Sequence, residues 1–204
     1  FSKIKLINMG TTSYQEVWEL QKDLQKQRIS GDIEDTIILT EHKAVYTLGK
    51  NASKNHLLQN RDMTVDVFHV ERGGDITFHG PGQLVIYFLL DVKKLNFGPK
   101  KLVSTIQEFV KDLLADLSID CNFVEGAPGV YVNQKKIASI GLRISKGKSY
   151  HGISINFDMD LSPFKQINPC GYEGLEVTQI KDLNKHVSKL QLEKMVINLL
   201  KNTF

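Results

Sequence analysis

The residue whose setting most invites covalent chemistry is Cys170, in Asn168-Pro169-Cys170-Gly171, where proline and glycine fix the backbone around one thiol. Such a turn suits exposure better than packing. A thiol becomes a useful nucleophile when a neighbouring cation or a helix N-terminus favours its thiolate. Two kinds of activator are in the sequence: a histidine, His79 or His151, and a lysine, Lys136, in Lys135-Lys136-Ile137-Ala138-Ser139-Ile140-Gly141. The small residues Ala138, Ser139 and Gly141 indicate that another part of the chain approaches this strand closely. Cys121, between Ile119 and Phe123, reads instead as a small core residue in a strand that follows a helix.

Other chemistries fail on spacing. Two cysteines in 204 residues make neither a disulfide framework nor a four-cysteine zinc site. Gly147-Lys148-Ser149 resembles the end of a phosphate-binding loop, but the first glycine such a loop needs would fall at Leu142. Gly80-Pro81-Gly82 does not extend to a dinucleotide fingerprint, and no HExxH pattern supports a metal. Asn51-Ala52-Ser53 matches a glycosylation acceptor by chance in a chain without a secretory signal.

These residues need elements to hold them. Ser13 to Arg28 places Val17, Leu20 and Leu24 on one helical stripe, with a Ser13 cap, a Glu16 capping box and a stop near Gly31. Thr36 to Thr40, Val45 to Leu48, Val67 to Val70 and Leu84 to Leu90 read as strands. Between the last two, the glycines of RGGDITFHGPGQ are expected to forbid regular structure, and a site is expected there. Pro99 to Leu117 is a helix with Leu102, Ile106, Phe109, Val110, Leu113, Leu114 and Leu117 as its apolar residues. Val130 to Val132, Ile137 to Ile144 and Tyr150 to Phe157, joined by NQKK and SKGK, form an antiparallel meander, and Ser188 to Asn202 is a closing amphipathic helix.

No repeat or linker divides the sequence, and a chain this long buries roughly 70% of its surface, so residues 1–204 are expected to form one α/β (α+β) domain: a mixed, largely antiparallel sheet flanked by helices. The 41% hydrophobic and 24% charged residues exclude disorder. A net charge of +3 is too small to argue for nucleic acid without a concentrated basic face. Leu84 to Leu90, the longest apolar run, falls far short of the about 20 residues that span a bilayer. No signal peptide is visible in FSKIKLINMG, and a cytoplasmic setting is expected.

Taken in order, Arg72-Gly73-Gly74-Asp75-Ile76-Thr77-Phe78-His79-Gly-Pro-Gly-Gln83, Lys136 to Gly141, His151-Gly152-Ile153-Ser154, Leu161-Ser-Pro-Phe164 and Asn168-Pro-Cys-Gly-Tyr172 closely resemble the lipoyl(octanoyl) transferase family, the octanoyl-[acyl-carrier-protein]:protein N-octanoyltransferases. Glu41-His42 and Thr-Leu-Gly at 47–49 extend the match over almost the whole chain. The resemblance implies the fold of lipoate and biotin protein ligase catalytic domains. It also implies a dyad in which Cys170 carries an acyl thioester and Lys136 lowers its pKa. Substrate contacts carried over are Arg72, Gly73, Gly74, Asp75, Ile76, Thr77, Phe78 and His79; Ser139, Ile140 and Gly141; and Gly152, Ile153 and Ser154. Phe78 stands where many members have Tyr, which removes a hydroxyl near the site, and Phe88 where many have Pro.

The expected reaction is ping-pong octanoyl transfer. Its donor is the phosphopantetheine of acyl carrier protein; its acceptors are lysines in lipoyl domains of 2-oxoacid dehydrogenase complexes and in glycine cleavage H protein. No ATP or metal is expected, nor any nucleic-acid or membrane partner, and the chain is expected to be a monomer. Full ionisation of a thiol of pKa about 8.5 raises its thiolate at most about 30-fold at pH 7, about 2 kcal/mol. An ammonium about 4 Å away supplies about 4 kcal/mol before desolvation. The backbone N–H groups of Gly73-Gly74, or those near Gly141 and Cys170, are candidate oxyanion donors, and His79 and His151 are expected to position groups. Lys93, Lys94, Lys100, Lys101, Lys135, Lys136, Arg143, Lys146 and Lys148 are basic residues that either sit solvated or dock an acidic carrier. The competing readings are an ATP-dependent lipoate or octanoate ligase of the same fold and a non-catalytic lipoyl-domain binding module.

Overall fold

Chain order is β1 (Lys5–Thr12), α1 (Tyr14–Ser30), β2 (Thr36–His42), β3 (Val45–Leu48), β4 (Asp66–His69), β5 (Ile76–His79), β6 (Gln83–Leu89), α2 (Pro99–Asp116), β7 (Asn122–Val124), β8 (Ala127–Val132), β9 (Lys135–Ser145), β10 (Lys148–Asn156), a 3-10 turn (Ser162–Gln166), α3 (Ile180–Leu183) and α4 (Lys189–Thr203). The structure is a computed structural model that describes residues 4–31, 33–53, 56–58, 62–168 and 175–204. Cys170 therefore lies outside the described residues.

One sheet has seven strands in the order β1-β2-β6-β10-β9-β8-β7, and a second has three, β4-β3-β5. In the large sheet only β1 and β2 run parallel. The meander is as the sequence indicates. Its two hairpin turns, Asn133-Gln134 and Lys146-Gly147, have positive φ at both central residues, the geometry that matches strand twist.

Strand alternation sorts the two faces. Ile37 and Leu39 of β2, Ile86 and Phe88 of β6, and Ile153 and Ile155 of β10 pack with α2 and α4 in the main core. The opposite face carries Ile38, Val85, Tyr87 and Tyr150 against Val17 of α1. The small sheet has its own cluster around Tyr46, Leu48, Ile76 and Phe78.

Three expectations need correction. Ile76–His79, inside the glycine-rich stretch, is a strand paired antiparallel with β3: the glycines bracket a β-forming Ile-Thr-Phe rather than dissolving it. Strand β1 and the short α3 have no counterpart in the sequence signals, whereas β7 starts at Asn122, next to the Cys121 expected in a strand after a helix. The α1 stripe is wider than its apolar residues: Leu20 and Leu24 pack half-buried against the cluster that holds Val17, and beside them the helix also buries Gln21, Gln25 and Arg28. Each of these side chains has one partner: Gln21 Oε1 accepts from the His151 amide, Gln25 donates to the Lys148 carbonyl, and Arg28 pairs with buried Asp35, while Gln21 Nε2, Gln25 Oε1 and Arg28 Nε have no hydrogen bond among the described residues. Helix α1 has the Ser13 cap, its hydroxyl accepting from the Glu16 amide, and Gly31 closes it at φ 87°; the reciprocal capping box forms instead on α4, between Ser188 and Gln191.

Candidate active site

Two adjacent rows of the large sheet have small side chains: Gly141 beside Gly152, leading to Tyr87, and Ser139 beside Ser154, leading to Val85. With little projecting from these rows, a cavity of about 1130 Å³ opens over them. Gly152 is required by contact, since a Cβ there would lie 1.9 Å from the Ile86 carbonyl oxygen. Gly141 lies under the Arg72-Gly73 backbone, where a Cβ would sit 3.1 Å from both Arg72 Cδ and Gly73 O, and the Gly73 amide donates to Leu142 O at 3.0 Å. This is the close approach that the small residues of β9 announce. It also commits the Gly73 N–H, removing it from the candidate oxyanion donors.

All the carried-over contact residues but one line this cavity: Arg72 through Thr77, His79, Ser139 through Gly141, and Gly152 through Ser154. The exception is Phe78. Its ring is buried in the core of the small sheet, 5.3 Å from the Tyr46 ring and 5.8 Å from that of Phe164, because strand alternation turns it away from Thr77. A missing hydroxyl at Phe78 is therefore a core matter. The rim is formed by Val124 to Pro128 of the β7–β8 hairpin and by Pro99 and Val103 of α2.

Lys136 is half-buried at one end of the cavity wall, its Nζ 5.4 Å from the centroid of the Tyr131 ring. Its backbone holds a short parallel strap: its amide donates to Glu176 O and its carbonyl accepts from the Thr178 amide, both at 2.9 Å. Ile167 and Leu175, on either side of residues 169–174, line the same cavity. Cys121 lies elsewhere, half-buried against the main core and free, with burial pushing its pKa up.

The opposite end is a buried polar cluster that sequence reasoning missed in part. Arg72 is 8% exposed and donates to Thr47 Oγ1 and O and to Gly73 O, at 2.7–3.2 Å. Among the described residues no carboxylate lies within ion-pair distance of it. Tyr14 and Tyr87 flank this cation, and burial pushes both phenols above their usual pKa. Burial first, and neighbouring positive groups second, lower His79 and His151 to about 3; burial lowers His42 to about 4. All three histidines are neutral at pH 7 and cannot serve as cationic activators. His42 was visible only as part of Glu41-His42; Tyr14 and Tyr87 carried no signal, because they meet only when α1 crosses the sheet.

His151 departs from the alternation of its strand. It should share the α2 side with Ile153, yet its backbone is left-handed at φ 60° and its ring stacks 4.7 Å from Trp18 on the α1 side. Among the described residues no three His, Cys, Asp or Glu side chains are grouped to hold a metal ion, and no helix is long and apolar enough to cross a membrane.

Comparison with known proteins identifies the family and the fold. The family model of the lipoyl protein ligase A/B catalytic domain matches residues 13–203. An octanoyltransferase of Dechloromonas aromatica is 48% identical over 176 residues, 86% of this chain and 84% of that protein. One of Pseudomonas putida F1 is 49% identical over 175 residues, 86% and 80% respectively. Among solved structures, a bipartite lipoate protein ligase of Thermoplasma acidophilum, described with its E2 lipoyl domain, superposes with a TM-score of 0.74 at 14% identity, covering 100% of this chain and 84% of that one. A biotin protein ligase of Aquifex aeolicus gives 0.55 at 15% identity, covering 100% and 69%. At these identities the structural likenesses establish the fold.

Proposed function

Because the chain belongs to the lipoyl protein ligase A/B catalytic domain family and is nearly half identical to octanoyltransferases along most of its length, it is an acyltransferase of protein lipoylation, and we propose that it moves octanoyl groups through Cys170. In the first half-reaction the Cys170 thiolate attacks the octanoyl thioester of acyl carrier protein, and the phosphopantetheine thiol leaves with a proton. In the second, the neutral amine of a lipoyl-domain lysine attacks the Cys170 thioester; an amide forms and the thiolate leaves. Lys136, as an ammonium, stabilises the Cys170 thiolate, gives its proton to the departing phosphopantetheine sulfur in the first half-reaction, and takes one back from the attacking amine in the second, which restores the ion pair.

One observation carries this reading: the chain on both sides of Cys170, at Ile167 and Leu175, lines the cavity that Lys136 lines. The neutral histidines leave lysine as the activator. A volume of about 1130 Å³ lies just above the about 300–1,000 Å³ typical of small-molecule sites, so it leaves room for the carrier's arm beside an eight-carbon chain. Six or seven buried methylenes contribute about 5 kcal/mol of recognition.

The deciding experiment incubates the protein with octanoylated carrier protein, without ATP or metal, and weighs it. A hydroxylamine-labile gain of one octanoyl group, absent in Cys170→Ala, is the expected result. An adduct or transfer only with ATP would favour the ligase, and no transfer under either condition the binding module.

A further inference from the structure

A chain of buried side-chain amides runs from the polar end of the cavity to Lys136. Thr178 O accepts from Asn156 Nδ2 at 3.0 Å, Asn156 Oδ1 accepts from Gln83 Nε2 at 2.9 Å, and Gln83 Oε1 lies 2.7 Å from His79 Nδ1. Asn156, Gln83, Thr178 and His79 are all 7% exposed or less.

The polarity of this chain follows from one fixed point. A backbone carbonyl can only accept, so the amide nitrogen of Asn156 faces Thr178 and its oxygen faces Gln83. The Gln83 nitrogen must then face Asn156, where it also donates to Phe78 O at 3.3 Å, and its oxygen faces His79. His79 consequently carries its proton on Nδ1. Its Nε2, with no hydrogen-bond partner among the described residues, is a pure acceptor on a residue that lines the cavity. In that state it can take an N–H group but cannot donate to an oxyanion.

The other end of the chain acts on the backbone. Asn156 is the last residue of β10, whose pairing with β9 ends at Ala138. Beyond that point the Glu176–Thr178 strap takes over as the neighbour of β9, bonded on both sides of Lys136. Asn156 bonds the strap where the two pairings meet.

We infer that Gln83 and Asn156 are positioning residues for acyl transfer: one buried relay both sets the tautomer of His79 and pins to Lys136 the strap that follows Gly174. The inference rests on the transferase reading. It predicts that the two ends of the cavity are mechanically joined, although neither amide is among the residues that line it.

Two near-isosteric variants separate the ends, each made with Cys121→Ser so that Cys170 is the only thiol. Asn156→Asp keeps an acceptor for Gln83 but sets an oxygen against Thr178 O. Gln83→Glu keeps the acceptor for His79 and loses the donor to Asn156. Transfer from octanoylated carrier protein to a lipoyl domain is measured, together with the pH midpoint of Cys170 alkylation by iodoacetamide and the exchange of the Lys136 and Thr178 amide protons. The expected result is a kcat about 10- to 100-fold lower with acceptor KM within about twofold, a raised alkylation midpoint and faster exchange of both protons in Asn156→Asp. Wild-type kcat, midpoint and exchange, all within about twofold in both variants, would overturn the relay while leaving the transferase intact. A Cys121→Ser chain that takes up no octanoyl group at all would remove the transferase reading, and the relay with it.

Discussion

At the scale of single residues the site divides charge unusually. Three histidines are held neutral around one buried guanidinium, and the ammonium of Lys136 sits apart, over the Tyr131 ring. That ring face attracts the ammonium. Lys136→Met is therefore expected to slow alkylation of Cys170 at pH 7 by about 10- to 30-fold, the most that loss of the thiolate permits. Iodoacetamide kinetics on the Cys121→Ser background checks this; an unchanged rate would show that another group ionises the thiol. The two candidate residues stand out locally, as a thiol between proline and glycine and a lysine followed by small residues, while their pairing as a dyad came from the family resemblance and is what this experiment tests. The state of the histidines was not legible, since it is set by the sheet and helix that bury them.

At the scale of elements, strand β10 does most of the positioning. It supplies Gly152 and Ser154 to the cavity floor, turns His151 across the sheet, and ends on Asn156. Gly152→Ala would drive a Cβ into the Ile86 carbonyl, a backbone atom that cannot yield without parting β6 from β10. A loss above about 3 kcal/mol in urea unfolding is expected, against near-neutrality for an exposed substitution such as Lys146→Ala. Helix α1 makes a second case. Its Arg28 and Asp35 are buried together, so Arg28→Ala should cost about 3–5 kcal/mol by leaving the Asp35 carboxylate with fewer partners. Periodicity found α1 and its apolar stripe but not the full width of its buried face, because the glutamines and arginine it buries read as solvent-facing until the sheet supplies their partners. Strand β5 was hidden for the converse reason: four residues between glycine pairs are too few for a pattern, and pairing with β3 makes them a strand.

For the whole molecule, the buried histidines set an acid limit. Their folded pKa values, about 3 to 4, lie below the ordinary 6.5, so between those values the unfolded chain binds more protons than the folded one. Stability is therefore intact above pH 6.5 and falls as the pH drops from there toward 4. Between pH 7 and pH 5 the loss is about 2 kcal/mol per histidine, and His42→Gln should flatten the slope by that amount in urea titrations at the two pH values. The basic patches also separate once the fold is known. Lys148 pairs with buried Asp91 and Lys135 with Glu176, whereas Lys146 is exposed at the β9–β10 turn. Charge reversal at Lys148 would be a folding lesion, so docking of an acidic carrier is tested by Lys146→Glu alone, with a raised carrier KM expected. An unchanged KM would remove that face from docking.

The sequence by itself determined the chemistry on offer: one thiol in a constrained turn, a lysine on a strand of small residues, a glycine-rich stretch and an ordered set of motifs that resemble one family. It also determined the meander and the three long helices, because period and turn chemistry are local. Only the tertiary structure decided which groups share a cavity, which are charged there, and how they are held. Phe78 was turned into a core by its strand's alternation, and His151 out of one by a left-handed backbone. The amide relay exists only because β6, β10 and the strap converge from positions 83, 156 and 178. Burial and long-range pairing are properties of the packed chain, so no window of sequence contains them.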